Sequence, residues 1–407
     1  MKKIAACLCV IFIFGFYFIQ TVWADAETDA ILDLLIQKGV ITQRDVDSLR
    51  AEVGKKLEET PESQCPVKSV ECLDAIKLGG VLDVRYQDSE GEEATFKMNE
   101  FTPYVDVDFT DKISGRGKIK ATPDGVTLNE AWVKYDDIAL YNGTVKFGKF
   151  ARGSFGYYQG DGVDGELLYR AFIDNKQAGI EYSTEFPEQN LPFPVTFAFG
   201  VCNGSEITTA EVGDNAFSPV EFIADGAGDA DDNQSKEVSA RVTVQPNDYL
   251  KVGISGLYGQ LSPVDITALN TSLGTAYTDD VKRRYGVDVA FNHPLEGLGI
   301  VSEIRAEYLC SETSDFDVDA WYGILCFKFF DEKLDLFTRY SEYNPDIATR
   351  TTASETWELY QTTIGASWNF TDRTQLLVEY EFNGENTPAG VSEVDNDMLK
   401  IKSKTEF

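Results

Sequence analysis

The sequence predicts an all-β chain, a transmembrane antiparallel β-barrel of about 16 strands with a short N-terminal periplasmic helical hairpin. Three observations predict it. From Leu78 onward, strand-length segments alternate with period two; their connections are alternately short and long; and the opposite end of the chain carries an export segment. Period-two alternation marks strands whose two faces meet different surroundings.

The export segment comes first. Lys2 and Lys3 precede an apolar stretch from Ile4 to Phe18, and Val22-Trp23-Ala24 reads as a cleavage site, so residues 1–24 read as a signal peptide cut after Ala24. A retained helical anchor is the alternative, since the apolar run approaches spanning length. Nothing downstream is built for a helical membrane protein. Ile4-Ala5-Ala6-Cys7 mimics a lipoprotein box but lies too near the start to have an apolar region ahead of it.

Residues 25–58 read as the helical hairpin, the only convincing helical region in the sequence. Ile31, Leu34 and Leu35 have helical spacing and Gly39 ends the first helix; Thr42 caps a second, with Asp45 three residues on. Val46, Leu49 and Val53 give it one narrow apolar stripe. Such stripes bury little alone, which suggests an oligomerisation segment; a frayed linker is the plainer alternative. Residues 59–76 form a linker with Cys65 and Cys72, which an oxidising compartment would allow to pair. Residues 77–407 are the barrel.

Within the barrel, short turns fall at Asp111-Lys112, Pro246-Asn247-Asp248, Asp331-Glu332-Lys333 and Thr371-Asp372-Arg373. Longer loops fall at 151–173, 204–233, 261–277, 344–355 and 384–395. Short periplasmic turns and long outer loops give this rhythm, which a soluble sandwich lacks. The faces agree. Val195, Phe197, Phe199 and Val201 oppose Thr196, Ala198 and Gly200; Val238, Ala240, Val242 and Val244 oppose Ser239, Arg241 and Thr243. Trp321, Leu325, Phe327 and Phe329 share a face with Gly323, and Tyr360, Ile364, Ala366, Trp368 and Phe370 oppose Gln361, Thr363, Ser367 and Asn369. The second face is too polar for a dry core and implies a wet interior. The last strand sets Leu399, Ile401, Ser403, Thr405 and Phe407 against Lys400, Lys402, Lys404 and Glu406, and its terminal Phe resembles the closing strand of bacterial outer-membrane barrels.

Composition excludes several function classes. A formal charge of -32 argues against a nucleic-acid partner. Mean hydropathy of -0.23 suits a barrel, whose lipid-facing and water-facing residues cancel. The single histidine, His293, is placed in a periplasmic turn away from any strand serine, so neither a Ser-His hydrolase nor a histidine metal cluster is expected. Asp229, Asp231 and Asn233 begin like a calcium loop, but Gln234 stands where a Gly is required. Cys202, Cys310 and Cys326 read as strand packing residues, and no haem-attachment motif occurs. No catalytic residue, cofactor or metal site is expected.

The inward faces carry the candidate pore lining. Arg116, Lys118 and Lys120 form one basic row, joined by Lys134, Lys146, Arg241, Arg284, Arg305, Lys328 and Arg339. Glu181, Glu237, Asp288, Glu303, Glu307, Asp335 and Glu379 counter it. In and just beyond the loop 151–173, Arg152, Arg170 and Lys176 are outnumbered by Asp161, Asp164, Glu166 and Asp174. Charges in a narrow low-dielectric channel bias which ions enter.

The body also resembles the phosphate-selective porin O and P family of outer-membrane channels. The likeness is clearest in Asp335–Tyr340, Thr363–Phe370, Leu128–Tyr135, Val145–Phe150 and the closing strand, and it spans roughly 78–407. It implies a sixteen-stranded, usually trimeric barrel whose third outer loop folds inward to constrict the pore, a role matched by 151–173. Phosphate preference does not transfer with it, because the acids in this loop outnumber its bases. The expected function is passive diffusion of ions and small hydrophilic solutes through a homotrimer set in outer-membrane lipid and lipopolysaccharide, with weak cation preference if Asp161, Asp164 and Glu166 face the lumen. The alternatives are a barrel sheath around a multihaem cytochrome and a plugged scaffold barrel.

Overall fold

The computed structural model describes residues 75–89, 94–123, 125–138, 141–157, 167–173, 176–186, 191–204, 206–212, 220–225, 236–295, 297–346, 358–386 and 396–407. The expected signal peptide, helical hairpin and Cys65–Cys72 pair lie outside them.

The described residues build eighteen strands. These are β1 (Ile76–Ser89), β2 (Thr95–Thr110), β3 (Ile113–Thr122), β4 (Gly125–Ile138), β5 (Gly143–Ala151), β6 (Lys176–Phe186), β7 (Val195–Cys202), β8 (Ile207–Val212) and β9 (Val220–Asp225). There follow β10 (Glu237–Asn247), β11 (Leu250–Gln260), β12 (Val281–Leu295), β13 (Ile300–Thr313), β14 (Phe316–Phe329), β15 (Leu334–Asp346), β16 (Glu358–Thr371), β17 (Thr374–Asn386) and β18 (Met398–Glu406). Sixteen of them form one closed antiparallel barrel in chain order, with β7 pairing β10 across the β8–β9 hairpin and β18 pairing β1. Closure leaves no free sheet edge, the condition for crossing lipid with strands. Phe407 completes it: its N–H donates to Gly80 O at 3.0 Å, and Gly80 N–H donates to Phe407 O at 2.9 Å.

The alternation sorts the two faces as expected. Val84, Phe101, Ile180, Ile254, Ile304 and Ile364 point out and are exposed, while Asp83, Arg85, Glu181, Arg241, Arg305 and Thr363 point in and are buried. An exposed apolar belt of this extent around a closed barrel is the surface that lipid covers. Among the described residues no helix is long and apolar enough to cross a membrane.

Three expectations need correction. His293 lies within β12, its ring stacked on Phe291 and tilted against Tyr249, and the turn begins only after Leu295. Residues 25–58 are not the sole helical region, because α1 (Pro263–Leu273) occupies the loop between β11 and β12. Its start is specified locally. Ser262 Oγ accepts from Asp265 N–H and Asp265 Oδ2 accepts from Ser262 N–H, both at 3.0 Å, and Gly274 ends the helix in the left-handed conformation. The third correction concerns the wet interior. The inward face of β14 carries Phe316, Val318, Ala320, Tyr322 and Ile324, all buried. That wall is dry because folded loops pack against it from inside.

Candidate pore and its constriction

The segment after β5 turns inward and runs across the inner wall. Arg152 forms an ion pair with Glu237 of β10, and Lys282 of β12 reaches the same carboxylate at 2.6 Å. Gly153 and Ser154 N–H groups donate to Glu181 Oε2 of β6 at 2.7 and 2.9 Å. Farther on, Gly156 N–H donates to Ser255 Oγ at 3.2 Å and Tyr157 N–H to Glu307 Oε1 at 2.9 Å. Residues 152–157 are therefore strapped from β6 to β13 by wall carboxylates and hydroxyls. Backbone donors bound to ionised acceptors are the strong kind of hydrogen bond.

Close approach is possible at one point for want of a side chain. A Cβ on Gly200 of β7 would stand 2.5 Å from Ser154 Oγ, which itself meets Ser239 Oγ at 2.7 Å. Gly200→Val should push Ser154 off the wall and cost about 1–3 kcal/mol. A lowered temperature for loss of the folded, heat-modifiable gel band would register it; an unchanged temperature would show that the strap does not press there.

The rest of the loop packs instead of pairing. Leu167, Leu168, Ala171 and Phe172, around a π-helical turn at Tyr169–Ile173, are buried. They share an apolar cluster with Ile207 of β8, Ile223 and Ala224 of β9, Leu269 and Leu273 of α1, and the inner faces of β13–β16. Polar contacts lock the pieces together. Ile207 N–H donates to Asp265 Oδ1 at 2.8 Å, Tyr343 OH donates to Ile223 O at 3.1 Å, and the Arg284 guanidinium lies 4.6 Å from the Phe172 ring centre. Three outer-loop segments thus form one dry plug inside the barrel.

The plug divides the wall charges into two populations. On β10–β18 most are buried in pairs, the exceptions being Lys328 of β14, 26% exposed beside Glu303, and Lys404 of β18, 37% exposed beside Glu406. Arg241 lies 2.7 Å from Asp288, Arg305 lies 2.6 Å from Glu303, and Lys400 lies 2.7 Å from Glu381, which Arg339 also approaches at 3.6 Å. On β2–β4 they are accessible. Side-chain exposure is 33% for Arg116, 21% for Lys118 and 39% for Lys120, against 2% for Lys282 and 0% for Arg339. Even here acids sit opposite bases: Arg116 with Asp106 at 2.6 Å, Lys118 with Glu130 at 3.9 Å, and Lys120 with Glu100 at 2.9 Å.

The expected pore-lining residues therefore separate into three groups. Arg116, Lys118, Lys120 and Lys146 line the accessible wall; Arg152, Arg241, Arg284, Arg305 and Arg339 are inward but buried under the strap and plug, and half-buried Arg170 lies in the π-helical turn. Asp161, Asp164 and Glu166 lie outside the described residues, as does the acidic stretch 229–234. Glu181 and Glu307 hold the strap, a role that their place among the counter-charges did not disclose. Cys202, Cys310 and Cys326 form no disulfide among the described residues, and Cys310 points outward.

No family model matches the chain, and no curated protein matches it. Solved structures do. OprB of Pseudomonas putida aligns with a TM-score of 0.59 at 14% identity, covering 83% of this chain and 96% of its own. The outer membrane channel DcaP of Acinetobacter baumannii gives 0.54 at 12% identity, covering 82% and 97%. An anion-selective porin from Comamonas acidovorans gives 0.50 at 10% identity, covering 82% and 99%. Strand order, inward strap and these alignments together establish that residues 76–407 have the porin-like fold of outer-membrane barrels.

Proposed function

We propose that the protein is an outer-membrane porin through which ions and small hydrophilic solutes diffuse passively, and that it is not an enzyme. The observation that carries this reading is the strap 152–157 crossing a charged inner wall inside a barrel whose outer face is apolar. A loop held there narrows the lumen, so residues 151–173 act as the constriction. Solute passage follows the accessible β2–β5 wall, beside the plug. Membership of the phosphate-selective porin O and P family, cleavage after Ala24 and a setting in outer-membrane lipid and lipopolysaccharide belong to the same reading. Current steps from purified protein in planar bilayers test it; a barrel that inserts and carries no ion current would sink it. A sheath around a multihaem cytochrome needs a wide empty lumen, and the apolar plug speaks against that alternative.

The sign of selectivity follows from the accessible wall. Lys118, Lys120, Arg116, Lys134 and Lys146 face the lumen there against Glu100, Asp106, Glu130 and Asp136. Charges beyond a Debye length of about 8 Å are screened, so these outweigh acids in the outer loops. A slight anion preference is expected, read as the sign of the reversal potential in a salt gradient. A clearly cation-selective value would place the dominant charge on Asp161, Asp164 and Glu166 instead.

The hairpin 25–58 carries a separate expectation, that it helps three chains assemble. Deleting it should weaken the trimer while leaving each barrel inserted. An oligomer of unchanged stability on native gels would assign assembly to the barrel walls alone.

A further inference from the structure

One inward cation on the accessible wall differs from its neighbours. Arg116, Lys118, Lys120 and Lys134 each lie within salt-bridge range of a carboxylate, Lys134 with Asp136 at 2.9 Å. Among the described residues, Lys146 of β5 has no carboxylate within that range. Its Nζ lies instead 5.5 Å from the Trp132 ring centre and 5.3 Å from that of Phe150. Its partner in register on β6, Glu181, is committed to the strap through Gly153 and Ser154. A cation over ring faces is attracted by the ring quadrupole, but the aromatic groups leave its full charge uncancelled.

The surroundings are built and not incidental. Trp132 is held by its Nε1–H, which donates to Glu130 Oε2 at 3.2 Å, and Arg116 lies 5.7 Å from the same ring, fixed to Asp106 by two hydrogen bonds of 2.6 and 2.8 Å. Phe150, at the foot of the strap, is 1% exposed, while Trp132 and Lys146 remain partly open to the lumen. A solute leaving the constriction along this wall thus meets a flat indole beside an ammonium that no salt bridge among the described residues engages.

We propose that Lys146 and Trp132 form a lumenal binding subsite for small organic anions with a planar ring, the carboxylate on Lys146 Nζ and the ring against Trp132. The proposal rests on the porin reading for its role in transport but not for binding itself. An inorganic anion would leave the indole unused. A cationic solute would be repelled by Lys146 and by Lys134, its partner in register on β4. Neither matches both groups at once, and an aromatic carboxylate does.

Ligand-observed NMR titration of the detergent-solubilised, full-length barrel tests binding, with benzoate as probe, acetate as charge without ring and benzyl alcohol as ring without charge. Saturable benzoate binding is expected, with acetate and benzyl alcohol at least about tenfold weaker. Lys146→Gln and Trp132→Leu should each weaken benzoate by about tenfold, and Lys146→Arg should retain it. Heat-modifiable gel migration confirms that each variant is folded. Acetate binding as tightly as benzoate, no saturable benzoate binding, or unchanged affinity in folded Lys146→Gln would each overturn the subsite. Bilayer current decides the porin reading separately: benzoate binding without ion current retires the channel and keeps the subsite, and current without benzoate binding does the reverse.

Discussion

Replacing Glu237 with alanine is expected to destabilise the barrel by about 3–5 kcal/mol and to loosen the strap at its first residue. Glu237 is 2% exposed and is the shared carboxylate of Arg152 and Lys282, whose side chains are 3% and 2% exposed. Removing it leaves two desolvated cations close together with their common counter-charge gone. Coulomb repulsion at such range amounts to several kcal/mol at an effective dielectric near 20, so relaxation must bring water in or push the two apart. Arg152 is the residue expected to shift, since it opens the loop while Lys282 lies within β12. The expected result is therefore double: a lower denaturant midpoint in detergent, and larger, noisier current steps as the strap lifts. Glu237→Gln keeps the shape and an acceptor oxygen but loses the charge, and should fall between wild type and alanine. A midpoint unchanged in both variants would show that the triad contributes nothing to holding the loop.

Much of this architecture was legible in the sequence because a barrel strand is a local pattern. The alternation of Lys400 and Lys402 against Leu399 and Ile401 places the lysines inside, where they meet Glu381 and Asp83. The short turns fell where β2 meets β3 and β16 meets β17. What stayed hidden depends on register or on distant loops. That Asp106 faces Arg116 follows only once β2 and β3 are aligned. Period two identifies a strand without saying which face is inside: on β14, Asp317 and Asp319 point out beyond the apolar belt while Phe316 and Val318 point in. The helix α1 did leave a signal. Ser262-Pro263-Val264-Asp265 is a capping box, followed by Leu269 and Leu273 four residues apart and by Gly274. It lies inside a stretch, 261–277, that the long-short rhythm of the connections marks only as a loop. The packing of β8–β9 left only a faint mark: Ile207 is an isolated apolar residue beside Glu206 and Thr208, and Phe222-Ile223-Ala224 is an apolar run too short to identify a buried strand.

The plug yields the second large effect, an expected several-fold rise in conductance when residues 263–273 are replaced by a short Gly-Ser connection. An 11-residue helix is about 16 Å long and 10–12 Å wide with its side chains, a substantial part of the lumen's cross-section. Its removal also takes the buried Leu269 and Leu273 from the shared cluster, and Asp265 from the N–H of Ile207. The β8–β9 hairpin then loses its polar tie to α1, and water gains the inner face of β14. Conductance should rise because ions acquire a second route along β11–β15, and the open-state current should become noisier as the remaining loop residues fluctuate. A deletion can also disturb folding, so a point variant provides the control. Leu269 is fully buried, and Leu269→Ala should cost about 2–5 kcal/mol locally without changing loop length. It should raise the frequency of large current steps more than their size, because the plug opens part of the time instead of being absent. If both variants fold and conduct as wild type does, the plug lies off every ion path and the β2–β5 wall alone sets the current. If only the deletion conducts more, the plug is held by its polar ties and not by its apolar core, and Asp265→Ala, which removes the acceptor of the Ile207 N–H, should then reproduce the larger steps.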